Sequence, residues 1–203
     1  TNDSSPFYSQ STSNNITVAS ATTSDSFTAR NFGIGDITVA SLASSGSVNV
    51  SAGGSYRVSS PANPFYTDVR TANHISITNA EPASATANFQ VTNSGIGNVT
   101  VTGAINRPSG SITLSAQDGS VTAAGNHAAS SAITVSAGTG SVLLGDLNSS
   151  TRAVSVSAAT TLAVGQVASG SATTFGNVNL NAGGNLSFES ITADGQSTSY
   201  GNV

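Results

Sequence analysis

Apolar and small polar residues alternate strictly in short runs along this chain. The pairs Ile16/Val18, Ile37/Val39, Val48/Val50, Ile75/Ile77, Val99/Val101, Ile112/Leu114, Ile133/Val135, Val154/Val156 and Val178/Leu180 each flank a single Ser, Thr or Asn. In the C-terminal runs Ala follows two residues later, as at Ala116, Ala137, Ala158 and Ala182. A period of two marks strands with one buried and one exposed side.

A second run follows the first after a Gly-rich corner: Tyr56/Val58 after Val48, Val121/Ala123 after Ile112, Val142/Leu144 after Ile133, and Leu186/Phe188 after Val178. Leu147, Val167 and Ile191 add a third apolar position. Units starting at Ile112, Ile133, Val154 and Val178 therefore predict one coil each, and residues 112–203 are expected to form regular coils. A larger duplication relates residues 6–58 to 64–121. Pro6-Phe7-Tyr8 recurs as Pro64-Phe65-Tyr66, Phe27 as Phe89, Gly33-Ile34-Gly35 as Gly95-Ile96-Gly97, and Gly46-Ser47-Val48 as Gly110-Ser111-Ile112. The offset drifts between these matches, which implies small insertions at corners, where an outward loop is tolerated.

One such coil cannot bury its apolar side alone. Stacked coils can, because each strand pairs with its equivalents above and below at about 4.8 Å. The expected fold is all-β: a right-handed parallel β-helix, or β-solenoid, of roughly eight coils, rising about 40 Å at that spacing. Residues 1–203 read as a single solenoid segment. Ser199-Tyr200-Gly201-Asn202-Val203 repeats the pattern of Thr174-Phe175-Gly176-Asn177-Val178, so the chain stops as a coil begins. It is accordingly expected to be a fragment of a longer filament.

Composition narrows the class. Only 7% of residues are charged, against roughly 25% in ordinary soluble domains. Disorder combines low hydrophobicity with high net charge, whereas here 37% is hydrophobic and the net charge is −4. Five scattered cationic residues in an acidic chain leave no footprint for nucleic acid. No apolar run is long enough for a transmembrane helix. The absence of cysteine excludes disulfides and thiolate metal sites, and suits a chain that crosses a membrane pore unfolded.

The unit from Val178 to Ile191, with Val178, Leu180, Ala182, Gly183, Gly184, Leu186, Phe188 and Ile191 at its repeated positions, resembles the repeats of filamentous haemagglutinin-type exoproteins. These are long bacterial adhesins, including two-partner-secreted proteins and autotransporter passengers. The resemblance runs from about Ile16 onward. It implies a right-handed β-helix, export across the outer membrane, and roles in adhesion, biofilm matrix or toxin presentation. The Asn-Pro-Asn-Leu signature of the secretion-targeting domain is missing, which points to a stalk segment.

Chemistry is sparse. Solenoid enzymes that cleave polysaccharides cluster carboxylates in a groove, whereas the nine acids here are spread singly. The densest polar stretch holds Asp68, Arg70, Asn73 and His74. It reads either as a carbohydrate contact or general base, or as a solvated insertion loop with an Asp–Arg pair. Phe7, Tyr8, Phe65 and Tyr66 fall outside the strand runs and either plug the wall beneath a loop or present a contact patch. With Asp68, Arg70 and His74 they make up the candidate surface contact. His127 reads as a surface corner residue, and no cofactor or metal site is visible. The residues inside the nine strand signatures, from Thr17 to Asn179, are expected to stack as one outward ladder of Thr, Ser and Asn. Ser and Asn interrupt it, and a variable repeat length spoils the lattice match that an ice-binding array would need. Asn15, Asn49, Asn98, Asn148 and Asn185 stand in Asn-x-Ser/Thr sequons.

The expected function is therefore that of a secreted or bacterial cell-surface stalk, non-enzymatic and without cofactor. Its partners would be host or neighbouring-cell surface molecules, glycans, or copies of itself in a fibre. The alternative is a carbohydrate-binding or carbohydrate-cleaving β-helix.

Overall fold

The computed structural model describes residues 14–60, 63–80, 87–171 and 174–193. All regular structure among them is β, and the sheets stack as a parallel β-solenoid of about seven turns. No helix is long and apolar enough to cross a membrane.

Three faces make up each coil. Face one is a seven-stranded ladder of Phe27–Asn31, Val48–Ala52, Phe89–Ile96, Ile112–Asp118, Ile133–Ala137, Val154–Ala158 and Val178–Ala182, every neighbour parallel. Face two stacks Ile16–Val18, Ile37–Val39, Ile75–Ile77, Val99–Val101, Val121–Ala123 and Val142–Leu144, and continues into Leu162–Ser171 and Leu186–Ala193. Face three carries Ile105–Arg107, His127–Ala129 and Leu147–Ser149, then the second half of Leu162–Ser171. Near the N-terminal end it is formed by Ala21–Thr23 with Leu42–Ser44, and Leu42 bridges to Ala80.

The nine matching strand signatures thus divide between two faces. Those at Ile16, Ile37, Ile75 and Val99 stack on face two; those at Val48, Ile112, Ile133, Val154 and Val178 stack on face one. The expected single outward ladder is two ladders. Thr17, Thr38, Ser76, Thr100 and Thr122 align on one; Asn49, Gln90, Thr113, Thr134, Ser155 and Asn179 align on the other. Alternation is the same on every face of a solenoid, so it cannot say which face a strand joins. Insertions fall at corners, and the face-one register holds through the irregularly spaced coils.

Inward columns follow from this register. Val48, Phe89, Ile112, Ile133 and Val154 form one dry stack, and Val50, Val91, Leu114, Val135 and Val156 another, each residue 1% exposed or less. Burying each such side chain contributes about 1.5–3 kcal/mol over leaving it exposed. Ala52, Ala116, Ala137 and Ala158 close the face-one strands where the chain must bend inward. At two coils Asn31 and Asn93 stand in that position instead, both buried.

Two charged or titratable residues lie inside the wall. Arg107 is 3% exposed and occupies a face-three column otherwise held by small residues such as Ala129, Ser149 and Ser169. Its guanidinium crosses toward an earlier coil, donating to Ser44 O (3.1 Å) and Gly46 O (3.4 Å), and sits 5.2 Å from the Phe89 ring centroid. Burial pushes its pKa down. A cation held by carbonyl dipoles and a ring face is compensated without a carboxylate. His127, expected at the surface, is 2% exposed and points inward between Ile105 and Leu147. The sequence Asn126-His127-Ala128-Ala129 resembles a corner, but its register is that of a face-three strand.

Removing Arg107 leaves a cavity and two carbonyls without their donor. Arg107→Ala is expected to lower unfolding free energy by about 2–4 kcal/mol, read from denaturant melts. A loss below about 1 kcal/mol would show that the buried guanidinium contributes little to holding face three.

Candidate functional site: a hairpin and its socket

One coil leaves the solenoid wall. After Val48–Ala52 the chain passes Gly53 and Gly54, runs out along Ser55–Ser60, returns along Asn63–Arg70, and only then enters face two at Ile75–Ile77. The two arms pair antiparallel, with Tyr56 opposite Val69, Arg57 opposite Asp68 and Val58 opposite Thr67, and the register shifts between Val58 and Ser60. The run Tyr56/Val58, expected as the second core strand of its coil, is therefore the outgoing arm of a hairpin. Tyr-Arg-Val alternates as a core strand does, and only the pairing separates the two.

Gly54 and Thr71 close the root. Thr71 N donates to Gly54 O (3.0 Å), and Gly54 N donates to Thr71 Oγ1 (2.8 Å). Below and above lie the duplicated corners Asn31-Phe32-Gly33-Ile34-Gly35 and Asn93-Ser94-Gly95-Ile96-Gly97. Asn31 Oδ1 accepts from Gly33 N (3.0 Å), and Asn93 Oδ1 accepts from Gly95 N (3.0 Å). Their amide groups bind the preceding coil: Asn31 Nδ2 donates to Asn14 O (2.7 Å), and Asn93 Nδ2 to Asn73 O (2.8 Å). Asn73, itself fully buried, donates down to Gly33 O (2.8 Å) and to Gly35 O. Three buried asparagines thus stitch four successive coils around the point where the hairpin departs.

The glycines are required by close approach. A Cβ on Gly97 would lie 1.8 Å from Asn73 O, and Gly97 has φ +143°. One on Gly53 would lie 2.1 Å from Gly95 N, with φ +91°. Only glycine fits both the space and the dihedral.

Arg70, the last residue of the returning arm, reaches back to the solenoid wall. It forms an ion pair with Asp118 at the end of a face-one strand, both side chains part exposed, and Gln117 accepts from Arg70 Nη2 at 3.1 Å with its amide oriented to satisfy both ends. His74 belongs to a corner ladder. Asp36 Oδ1 accepts from His74 N (2.7 Å), His74 Nδ1 accepts from Asn98 N (3.1 Å), and Asn98 Oδ1 accepts from Ser120 N (2.9 Å). Each side chain caps the next coil's backbone, which is a structural role. For Phe65, Tyr66 and Asp68 the structure describes the backbone alone, which places all three on the returning arm. Phe7 and Tyr8 lie outside the described residues. Phe32, beside the root, is 67% exposed, and Ile96, on the coil above, 51%. Sequence reasoning passed over both, along with Asn31 and Asn93, although the repeated Asn-x-Gly-Ile-Gly was visible, and it read Asn73 as part of a polar surface stretch where the structure buries it.

A second concavity runs along the outside of face three, about 340 Å³, lined by Asn126, Asp146, Asn148, Gln166, Ser190 and Thr192 among others. Asp146 is its one carboxylate among the described residues, and Asp146 Oδ1 accepts from Gln166 N (2.9 Å). Among the described residues no group of three His, Cys, Asp or Glu could hold a metal ion.

Comparison with known protein families, curated proteins and solved structures finds no match for the chain.

In the other coils Ala fits where Asn93 stands, so Asn93→Ala removes hydrogen bonds without a steric change. Leaving Gly95 N and Asn73 O unpaired is expected to cost about 2–3 kcal/mol, with faster proteolysis at the hairpin root. A melting temperature equal to the parent's would show that the asparagine stitch adds nothing to the socket.

Proposed function

We propose that this chain is a length of structural, adhesive stalk from a large extracellular exoprotein, whose contact element is the hairpin at Ser55–Arg70. The observation that carries the reading is a continuous seven-strand ladder from which one coil sends out a hairpin on a built socket. The ladder supplies stiffness, because every strand within it is bonded on both sides. The excursion supplies the departure from repetition that recognition needs. Its composition agrees. Of the chain's five Arg and four Tyr, the hairpin holds two of each, and Tyr and Arg are the residues enriched at binding hot spots. The resemblance to filamentous haemagglutinin-type repeats fits a bacterial cell-surface or secreted location, with host-cell molecules, neighbouring cells or glycans as partners.

The exterior favours a lone stalk over lateral bundling. Among the described residues the large exposed apolar ones, Phe32, Ile96, Leu143 and Phe188, sit on separate coils, where side-to-side packing would want a continuous strip. Apart from Arg30, the five-residue core of face one carries amides and hydroxyls on its outward rows. The groove along face three supports a second reading, carbohydrate binding. Its described lining offers amides and hydroxyls, with Asp146 the carboxylate among them, which supports binding as the form of that reading.

Replacing residues 55–70 by Asn-Gly, which closes Gly54 onto Thr71 as a two-residue turn, tests the proposal. The replaced chain is expected to keep its β circular dichroism and to melt within a few degrees of the parent. Beads coated with the parent chain are expected to adhere to cell monolayers or to an immobilised glycan panel, and beads with the replaced chain to lose most of that adhesion. Background adhesion by the parent on every surface would sink the adhesive reading. Equal adhesion by both chains would move the contact away from the hairpin.

A further inference from the structure

His127 occupies an inward column of face three whose other members are Ile105, Leu147, Val167 and Ile191. Both ring nitrogens are engaged. Nδ1 lies 3.3 Å from Ile105 N in the coil before, and accepts from it. Nε2 lies 3.0 Å from Ala123 O in its own coil, and so donates to it. The two contacts fix the neutral tautomer with its proton on Nε2. A second proton has only Nδ1 to occupy, where it would confront the Ile105 N–H.

The charged groups on the elements packed around the ring offer no relief. Arg107, buried, lies on the strand Ile105–Arg107 that pairs with His127–Ala129. Asp146 stands at the corner before Leu147–Ser149; its backbone oxygen accepts from His127 N, while its Oδ1 accepts from Gln166 N. Asp118, ending the face-one strand of the same coil, is paired with Arg70. Neither carboxylate partners either ring nitrogen.

We propose that His127 is an acid-sensitive latch on face three. Protonation of Nδ1 ejects the Ile105 N–H and sets a second buried cation beside Arg107, so Ile105–Arg107 and His127–Ala129 part while face one stays stacked. Desolvation lowers the affinity of the buried ring for a proton, and the bond to Ala123 raises it by less. The folded pKa therefore lies below the unfolded value near 6.5. The unfolded or opened state then binds more protons. Stability is full above about pH 6.5 and declines as pH falls toward the folded pKa.

Hydrogen exchange on the full chain, corrected for intrinsic rates, reads the latch directly. Between about pH 6.5 and about pH 5, protection of the Ile105 and His127 amides is expected to fall about tenfold per pH unit, while face-one amides such as Ile133 hold theirs. His127→Gln keeps an acceptor for Ile105 and a donor for Ala123 but does not titrate, and its profile is expected to be flat. Equal losses in parent and variant overturn the proposal. Should the variant fail to fold, imidazole nitrogen shifts of the parent decide. A ring that persists as the Nε2–H tautomer, and becomes charged only as Ile105 loses protection, supports the latch. A Nδ1–H tautomer, or charging with Ile105 unmoved, refutes it.

Discussion

Everything in this molecule depends on strands of one coil hydrogen-bonding to those of the next at a fixed, short spacing. That constraint leaves almost no room between backbones at the corners. A Cβ on Gly119 would fall 2.0 Å from Gly97 O, and one on Gly125 would fall 2.1 Å from Gly103 O. The glycines are therefore consequences of stacking rather than of local turn preference alone. The same spacing explains the polar corner ladder. When coils lie this close, a side chain at one corner can reach the backbone N–H of the next, as Asp36 does for His74 and His74 for Asn98. Capping between coils replaces the capping within an element that ordinary domains use.

The solenoid core is narrow, and that makes its polar members consequential. Ser149 and Ser169 turn their hydroxyls onto carbonyls at the following corner, both meeting Arg152 O at 2.7 Å. Arg107 does the equivalent over a longer reach, spanning to Ser44 and Gly46. Two carbonyl dipoles and the Phe89 ring meet its guanidinium, while its buried Nε has no hydrogen-bond partner among the described residues. His127 lies in the neighbouring column under the opposite arrangement, with one nitrogen obliged to remain an acceptor. The two residues make face three the chemically conditional wall of the solenoid. Face one, lined by aliphatic columns and bonded without interruption, is the unconditional one.

Much of the architecture could be read from the chain. Unit starts at Ile112, Ile133, Val154 and Val178 are the face-one strands, and Leu147, Val167 and Ile191 lie on face three. Alternation reports that a residue faces in or out, and nothing about which wall it belongs to. That is why nine signatures looked like one ladder, and why Tyr56/Val58 passed for a core strand. His127 and Arg107 were missed for a related reason. Inwardness is set by register with neighbouring coils, and a polar residue within an apolar column leaves no periodic trace. The stretch from Asp68 to His74, read either as a contact or as a solvated insertion loop, divides between the hairpin's returning arm and the wall: Arg70 pairs with Asp118, and His74 serves the corner ladder.

The duplication in the N-terminal half acquires a physical cause from the socket. Asn-x-Gly-Ile-Gly occurs twice, and each copy reaches into the coil before it, at Asn14 and at Asn73. Both of those residues immediately precede a residue that enters the corner ladder, Asn15 and His74 respectively. In sequence, each of them also follows a Pro-Phe-Tyr at nearly the same distance, Pro6-Phe7-Tyr8 before Asn14 and Pro64-Phe65-Tyr66 before Asn73. The repeating unit here is thus larger than a coil. In the second copy Pro64-Phe65-Tyr66 lies on the returning arm of the hairpin, and the next coil carries the asparagine and glycines that fasten it; Pro6-Phe7-Tyr8 lies outside the described residues. A plain coil needs only Ala at that corner, as Ala116, Ala137 and Ala158 show. Where the motif ends, at Gly97, the coils settle into the shorter repeat that continues to Ala193. The solenoid therefore changes from a decorated to a plain stretch within one chain, and Asn stands at the last face-one position only on the coils that flank the hairpin coil, whose own residue there is Ala52.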